Sequence, residues 1–104
     1  MNTVNLTTQE VTPEIIENWK KQFSDVWKIT VDGKVAFLRS PDRKTLSYAS
    51  SVGTSDPLKF NEILLKNCWL AGDLEIQTND TLFLSASSKL AELIQIKETE
   101  LEKL

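Results

Sequence analysis

Between Asp56 and Gly72 the apolar residues recur at the spacing of a helix face. Phe60, Ile63, Leu64, Cys68 and Ala71 lie on one side, while Leu58, Leu65 and Trp69 form a second stripe about a quarter turn away. Asp56 is a suitable N-cap, Pro57 fits the first turn, where its missing N–H costs nothing, and Gly72 can take the left-handed conformation that closes a helix. The pattern predicts a central helix over 56–72, covered on two sides.

Upstream, Thr12-Pro13-Glu14 opens a helix whose buried stripe is Ile16, Trp19 and Phe23. From Val26 the period changes to two, and Asp32-Gly33 separates two β-rich runs. That dipeptide predicts a hairpin at about 26–39, because both turn residues must reach positive φ. Trp27 then faces Leu38 and Ile29 faces Ala36 on the buried side, while Lys28 faces Phe37 and Thr30 faces Val35 on the other. A hairpin alone is marginal, so this one needs helices packed on it or a further strand from residues 1–10 or another chain.

Ser40-Pro41-Asp42 opens the next helix, which runs through about Ser51 and closes at Gly53, with Leu46 and Ala49 facing inward. After the central helix, Leu74 and Ile76 anchor a connection. Asn79 or Asp80 then caps a long last helix that carries Phe83, Ala86, Leu90, Leu93, Ile94 and Leu101 on one face. The expected fold is α+β and mostly helical: an N-terminal helix, one β-hairpin, then three helices packed around the central helix 56–72. Residues 1–10 are expected to form a flexible arm, and 11–104 a single domain.

Composition narrows the function. A net charge of −3 and a pI near 4.9 give no general attraction for phosphate backbones or anionic bilayers, so neither nucleic acid nor membrane is an expected partner. No apolar run approaches the roughly 20 residues needed to span a bilayer, and the first residues lack a basic region followed by an apolar one. A cytoplasmic location is expected. The chain has no histidine and a single cysteine, Cys68, which excludes imidazole or paired-thiolate metal sites and Ser-His-Asp or Cys-His catalysis within one chain. Cys68, on an apolar helix face, reads as an inert buried thiol.

Asp73 to Asp80 alternates oxygen side chains as a calcium loop does. Its sixth position is Thr78 instead of glycine and its twelfth is Leu84 instead of glutamate, so calcium is not expected. No spacing selects an acid–base pair. No enzyme activity, cofactor or metal is therefore expected. Arg39, Arg43 and Lys44 concentrate positive charge where the second strand meets the next helix, either as a solvated helix start or as a contact for an acidic partner.

The run Phe37-Leu38-Arg39-Ser40-Pro41-Asp42-Arg43-Lys44, the stretch Leu64-Leu65-Lys66-Asn67-Cys68-Trp69 and the order of elements together resemble small tail-assembly chaperones of tailed phages and prophages. The similarity covers roughly Trp27 to Leu104 and leaves the helix of Trp19 outside it. It implies a non-enzymatic protein of the host cytoplasm that binds the tape-measure or tail-tube protein during morphogenesis. Helix-in-groove recognition is the physical mode such a role would use. The candidate partner-binding residues are Arg39, Arg43, Leu65, Trp69, Leu93 and Leu101. The alternative is a small interaction adaptor or homo-oligomer that pairs through its C-terminal helix.

Overall fold

In the computed structural model, which describes residues 6–94 and 96–104, the hairpin takes the expected register. β1 (Val26–Val31) and β2 (Lys34–Arg39) are antiparallel, with Trp27 opposite Leu38, Ile29 opposite Ala36, Lys28 opposite Phe37 and Thr30 opposite Val35. Asp32 and Gly33 form the turn at φ 49° and 77°. Those values match the twist of a two-residue hairpin.

Ahead of the hairpin, α1 (Pro13–Phe23) begins where Thr12 Oγ1 accepts the Ile15 N–H at 3.2 Å. Its Trp19 ring meets Phe37 with centroids 5.9 Å apart, so α1 covers the sheet face that carries Phe37. Ile16, Trp19 and Phe23 are half-buried, not a buried stripe, because α1 lies on an outer layer with solvent beyond it. After β2, the cap of α2 (Arg43–Val52) is Asp42, whose Oδ1 accepts the Thr45 N–H at 2.7 Å. Ser40, the expected cap, instead accepts the Trp27 indole N–H at 2.8 Å, which satisfies a donor that is partly buried.

α3 (Pro57–Cys68) starts at Asp56 as the sequence predicts, with Asp56 Oδ1 accepting the N–H groups of Leu58 and Lys59 at 3.1 and 3.3 Å. Its end corrects the expected helix 56–72. Trp69–Gly72 is a strand, β3, which pairs antiparallel with β2 and completes a sheet of order β1-β2-β3, with Leu70 as the extra residue of a bulge. The segment leaves the helix because pairing with β2 satisfies its backbone and buries Ala71, and no left-handed glycine cap is made at Gly72. The third strand that the hairpin needs is therefore part of the stretch read as its helical neighbour.

The expected connection over the core holds a short helix, α4 (Glu75–Thr78), with Ile76 fully buried and Leu74 half-exposed. Asn79 Oδ1 accepts the Leu82 N–H at 3.1 Å and opens α5 (Asp80–Leu90), which is followed by a 3-10 turn at Ala91–Leu93. The long last helix is also corrected, since 96–104 have no regular secondary structure. Those residues are all exposed, and an uncovered helix of that length does not repay its nucleation. In place of three helices around a central one, α3, α4 and α5 cover one face of a three-stranded sheet, α1 covers the other, and α2 packs on α3.

The main core lies between Ala36 and Leu38 of β2, Leu65 and Cys68 of α3, Leu90 at the end of α5 and Leu93 in the turn after it. Of the expected arm 1–10, residues 1–5 lie outside the described residues. Residues 6–10 carry structure: the Leu6 carbonyl accepts the Gly72 N–H at 2.9 Å, and Glu10 Oε1 accepts the backbone N–H and hydroxyl of Thr7 at 3.1 and 2.9 Å.

Gly72 sits at φ 134°, and a Cβ there would collide with the Val35 carbonyl and lie 2.6 Å from the Ala36 Cα. Gly33 also has positive φ but open space around it. Denaturant unfolding of Gly72→Ala should show a loss of more than about 2 kcal/mol, against about 1 kcal/mol for Gly33→Ala. Equal losses would mean that the close approach of β3 to β2 is not what Gly72 provides.

Candidate functional site

The residues singled out for partner binding do not share one surface. Leu65 and Leu93 are buried in the core cluster, and Trp69 is half-buried against it. Arg39 is held inside the structure: its Nη2 donates to the Asn67 carbonyl at 3.1 Å, its guanidinium lies 5.6 Å from the centre of the Phe23 ring, and its Nη1 is 3.9 Å from Asp42 Oδ2. It thereby occupies the carbonyl end of α3, where a cation is favoured. Arg43 is exposed on the first turn of α2, beside Lys44 and Tyr48 in a shallow depression. Leu101 is fully exposed in 96–104.

What the fold does bring together is a groove between α3 and α5. Leu58 and Glu62 stand one turn apart on α3, while Asp80, Phe83 and Leu84 share a turn and its neighbour at the start of α5. With Gln77 of α4 they enclose about 440 Å³. Leu58 and Leu84 remain 49 % and 51 % exposed although both are large and aliphatic, and Phe83, packed on the core, supplies more of the apolar lining. The rim is acidic. Glu62 accepts from Lys66 Nζ at 2.9 Å and lies 3.8 Å from Lys59, and these lysines hold its carboxyl below the ordinary range, the Lys66 hydrogen bond most of all.

Leu58 belongs to the second stripe read from the sequence, whereas Leu84 was not singled out. Its signal was local: a leucine off the stripe of a helix whose core-facing positions are already filled by Phe83, Ala86 and Leu90. A smaller groove of about 320 Å³ runs along the outer edge of β1, between Trp27, Ile29 and the α5 end at Leu90 and Leu93. Lys28, the one charged side chain of β1, lines that edge, where a charge discourages further strand pairing.

The chemistry these surfaces offer is apolar contact with a carboxylate rim. Among the described residues no three cysteine, aspartate or glutamate side chains gather into a metal-binding group, and no helix is long and apolar enough to cross a membrane. Cys68 is fully buried, and burial pushes its thiol up to about 11. No family model, curated protein or solved structure matches the chain.

The buried thiol has a defined pH signature. The unfolded chain releases the Cys68 proton at a lower pH than the native one does, so the native state binds more protons between pH about 9 and about 11 and loses stability as pH rises through that window. At pH 8 the native thiolate fraction is about a hundredfold below that of an exposed cysteine, so alkylation by iodoacetamide should be slower by at least that factor until denaturant is added. Rapid labelling of the native protein would show that Cys68 is accessible.

Proposed function

We propose that this protein is a non-enzymatic binding protein of the tail-assembly-chaperone kind found in tailed phages and prophages, and that its α3–α5 groove holds an apolar helix of the tape-measure protein. The observation that carries the reading is the convergence of half-exposed Leu58 and Leu84 beside Phe83 in one groove. Large aliphatic side chains left at a concave surface lose water when a partner covers them, and covering the exposed half of each leucine contributes about 1 kcal/mol. Two ridges formed by parallel rows of i and i+4 side chains accept an amphipathic helix more readily than a flat sheet does. The phage setting comes from the resemblance of Phe37–Lys44 and Leu64–Trp69. The groove supplies the binding mode, and tail-tube subunits are the other client of the same setting.

Co-expression with a tape-measure protein should raise that protein's soluble fraction. Leu58→Glu combined with Leu84→Glu should abolish the gain, while Arg43→Glu on α2 should leave it intact. No rise in solubility would count against the chaperone role. A rise that survives the double leucine substitution would move the client to another surface.

A further inference from the structure

The sheet ends at β1, whose outer edge is open among the described residues. A two-residue turn makes Val31 and Lys34 the hydrogen-bonded closing pair, so the backbone N–H and carbonyl groups of Trp27, Ile29 and Val31 turn towards β2 and those of Lys28 and Thr30 turn outward. Val35, which lies opposite Thr30, shows the same alternation: its N–H and carbonyl point away from β1 and meet Asp73 at 2.8 Å each. The outward groups of Lys28 and Thr30 have no protein partner among the described residues. At the opposite edge, on β3, the Gly72 N–H already donates to the Leu6 carbonyl at 2.9 Å. A row such as the one on β1 is completed by another extended strand.

β1 has little of the usual protection of an edge. It runs six residues without proline, and the irregularity in the sheet lies between β2 and β3. Its row of Trp27, Ile29 and Val31 packs on the core yet stays only half-buried, and Trp27 and Ile29 line the groove of about 320 Å³. Lys89 and Glu92 on the rim of that groove lie 3.5 Å apart and neutralise each other, so Lys28 is the one unpaired charge of the edge among the described residues. A single charge does not bar every strand; it selects the register. With a two-fold axis normal to the sheet at Ile29, each Lys28 faces Thr30 of the other copy, and the outward backbone groups of those two residues bond directly. Trp27 then faces Val31 of the other copy, an aromatic against a β-branched side chain, and Ile29 faces its own counterpart. A slip of two residues one way sets Lys28 against Lys28, and the other way sets Trp27 against Gly33, which has no side chain to cover it.

We propose that β1 pairs with β1 of a second copy, antiparallel about Ile29, joining two three-stranded sheets into one continuous sheet. The occupant is a second copy because one register of this strand with itself satisfies its backbone, its apolar row and its charge together. The contact is isologous, so each copy spends the same edge and the assembly closes as a dimer. The edge shares no lining residue with the α3–α5 groove, so the dimer leaves that groove open to a client and does not depend on the chaperone reading.

Sedimentation equilibrium of the purified full chain, together with amide hydrogen exchange in dilute and concentrated solution, tests the pairing. The expected result is a monomer–dimer equilibrium in which the amides of Lys28 and Thr30 become protected as the dimer forms, while those of Ile29 and Val31 are protected in both states. Thr30→Lys should weaken dimerisation about tenfold, because like charges then stand opposite each other on both sides of the axis. Thr30 is exposed, so the circular dichroism of the monomer should not change. Lys28→Glu added to Thr30→Lys should restore the affinity, since the new carboxylate then faces the new ammonium across the axis. A monomer at every concentration overturns the pairing, as does a dimer indifferent to Thr30→Lys or one in which Lys28 and Thr30 gain no protection. A loss on Thr30→Lys that the added Lys28→Glu does not reverse overturns the register about Ile29. Dimerisation of this kind without any effect on tape-measure solubility leaves the pairing standing and removes the chaperone reading.

Discussion

The approach of Gly72 to the backbone of Val35 and Ala36 is the contact on which the rest of the structure depends. A side chain at that position would block it, because the space is already occupied by main chain. With the approach made, Asp73 clamps Val35 from both directions: its N–H donates to the Val35 carbonyl and its Oδ2 accepts the Val35 N–H, each at 2.8 Å. The clamp turns β2 into a central strand with β1 on one side and β3 on the other. It also dictates where α3 must stop, since the chain has to be extended by Trp69 to reach the sheet.

Ending α3 at Cys68 leaves carbonyls without a glycine cap, and Arg39 answers part of that need. From the end of β2 its guanidinium reaches the Asn67 carbonyl, lies over Phe23 at the end of α1 and stands near the Asp42 cap of α2. Asn67 itself turns its side-chain N–H to the Ile63 carbonyl at 2.8 Å. One arginine thus joins the ends of three helices to the sheet, and the basic cluster visible in the sequence divides. Arg39 is structural, while Arg43 and Lys44 face solvent.

The features legible in the sequence are those set by residues close together along the chain. The caps at Thr12, Asp56 and Asn79 and the hairpin register around Asp32-Gly33 involve partners a few residues apart, so local propensity decides them. The features that were not legible depend on distant partners. Trp69–Gly72 carries the periodicity of α3, and its glycine fits a helix end as well as a strand that needs a close neighbour; only the presence of Val35, far away in sequence, selects the strand. The last turns fail in the opposite sense, because their helical composition is left exposed, with no burial to support it. For the candidate site the same division holds: Leu65 and Leu58 sit on one stripe of the sequence pattern, yet one is buried and the other half-exposed, because α5 covers only part of α3.

This dependence couples the groove to the sheet. α4 is the only regular element between β3 and α5, so the seating of β3 on β2 sets where α4 and then α5 begin. Ile76, fully buried, holds that short link in the core, and Gln77 beside it lines the groove. The position of Leu84 relative to Leu58 therefore depends on the seating of β3 as well as on the direct packing of α5 against α3 and β1. The two half-exposed leucines thus sit on helices whose relative placement is tied to the sheet, and that tie runs through a glycine with no side chain of its own.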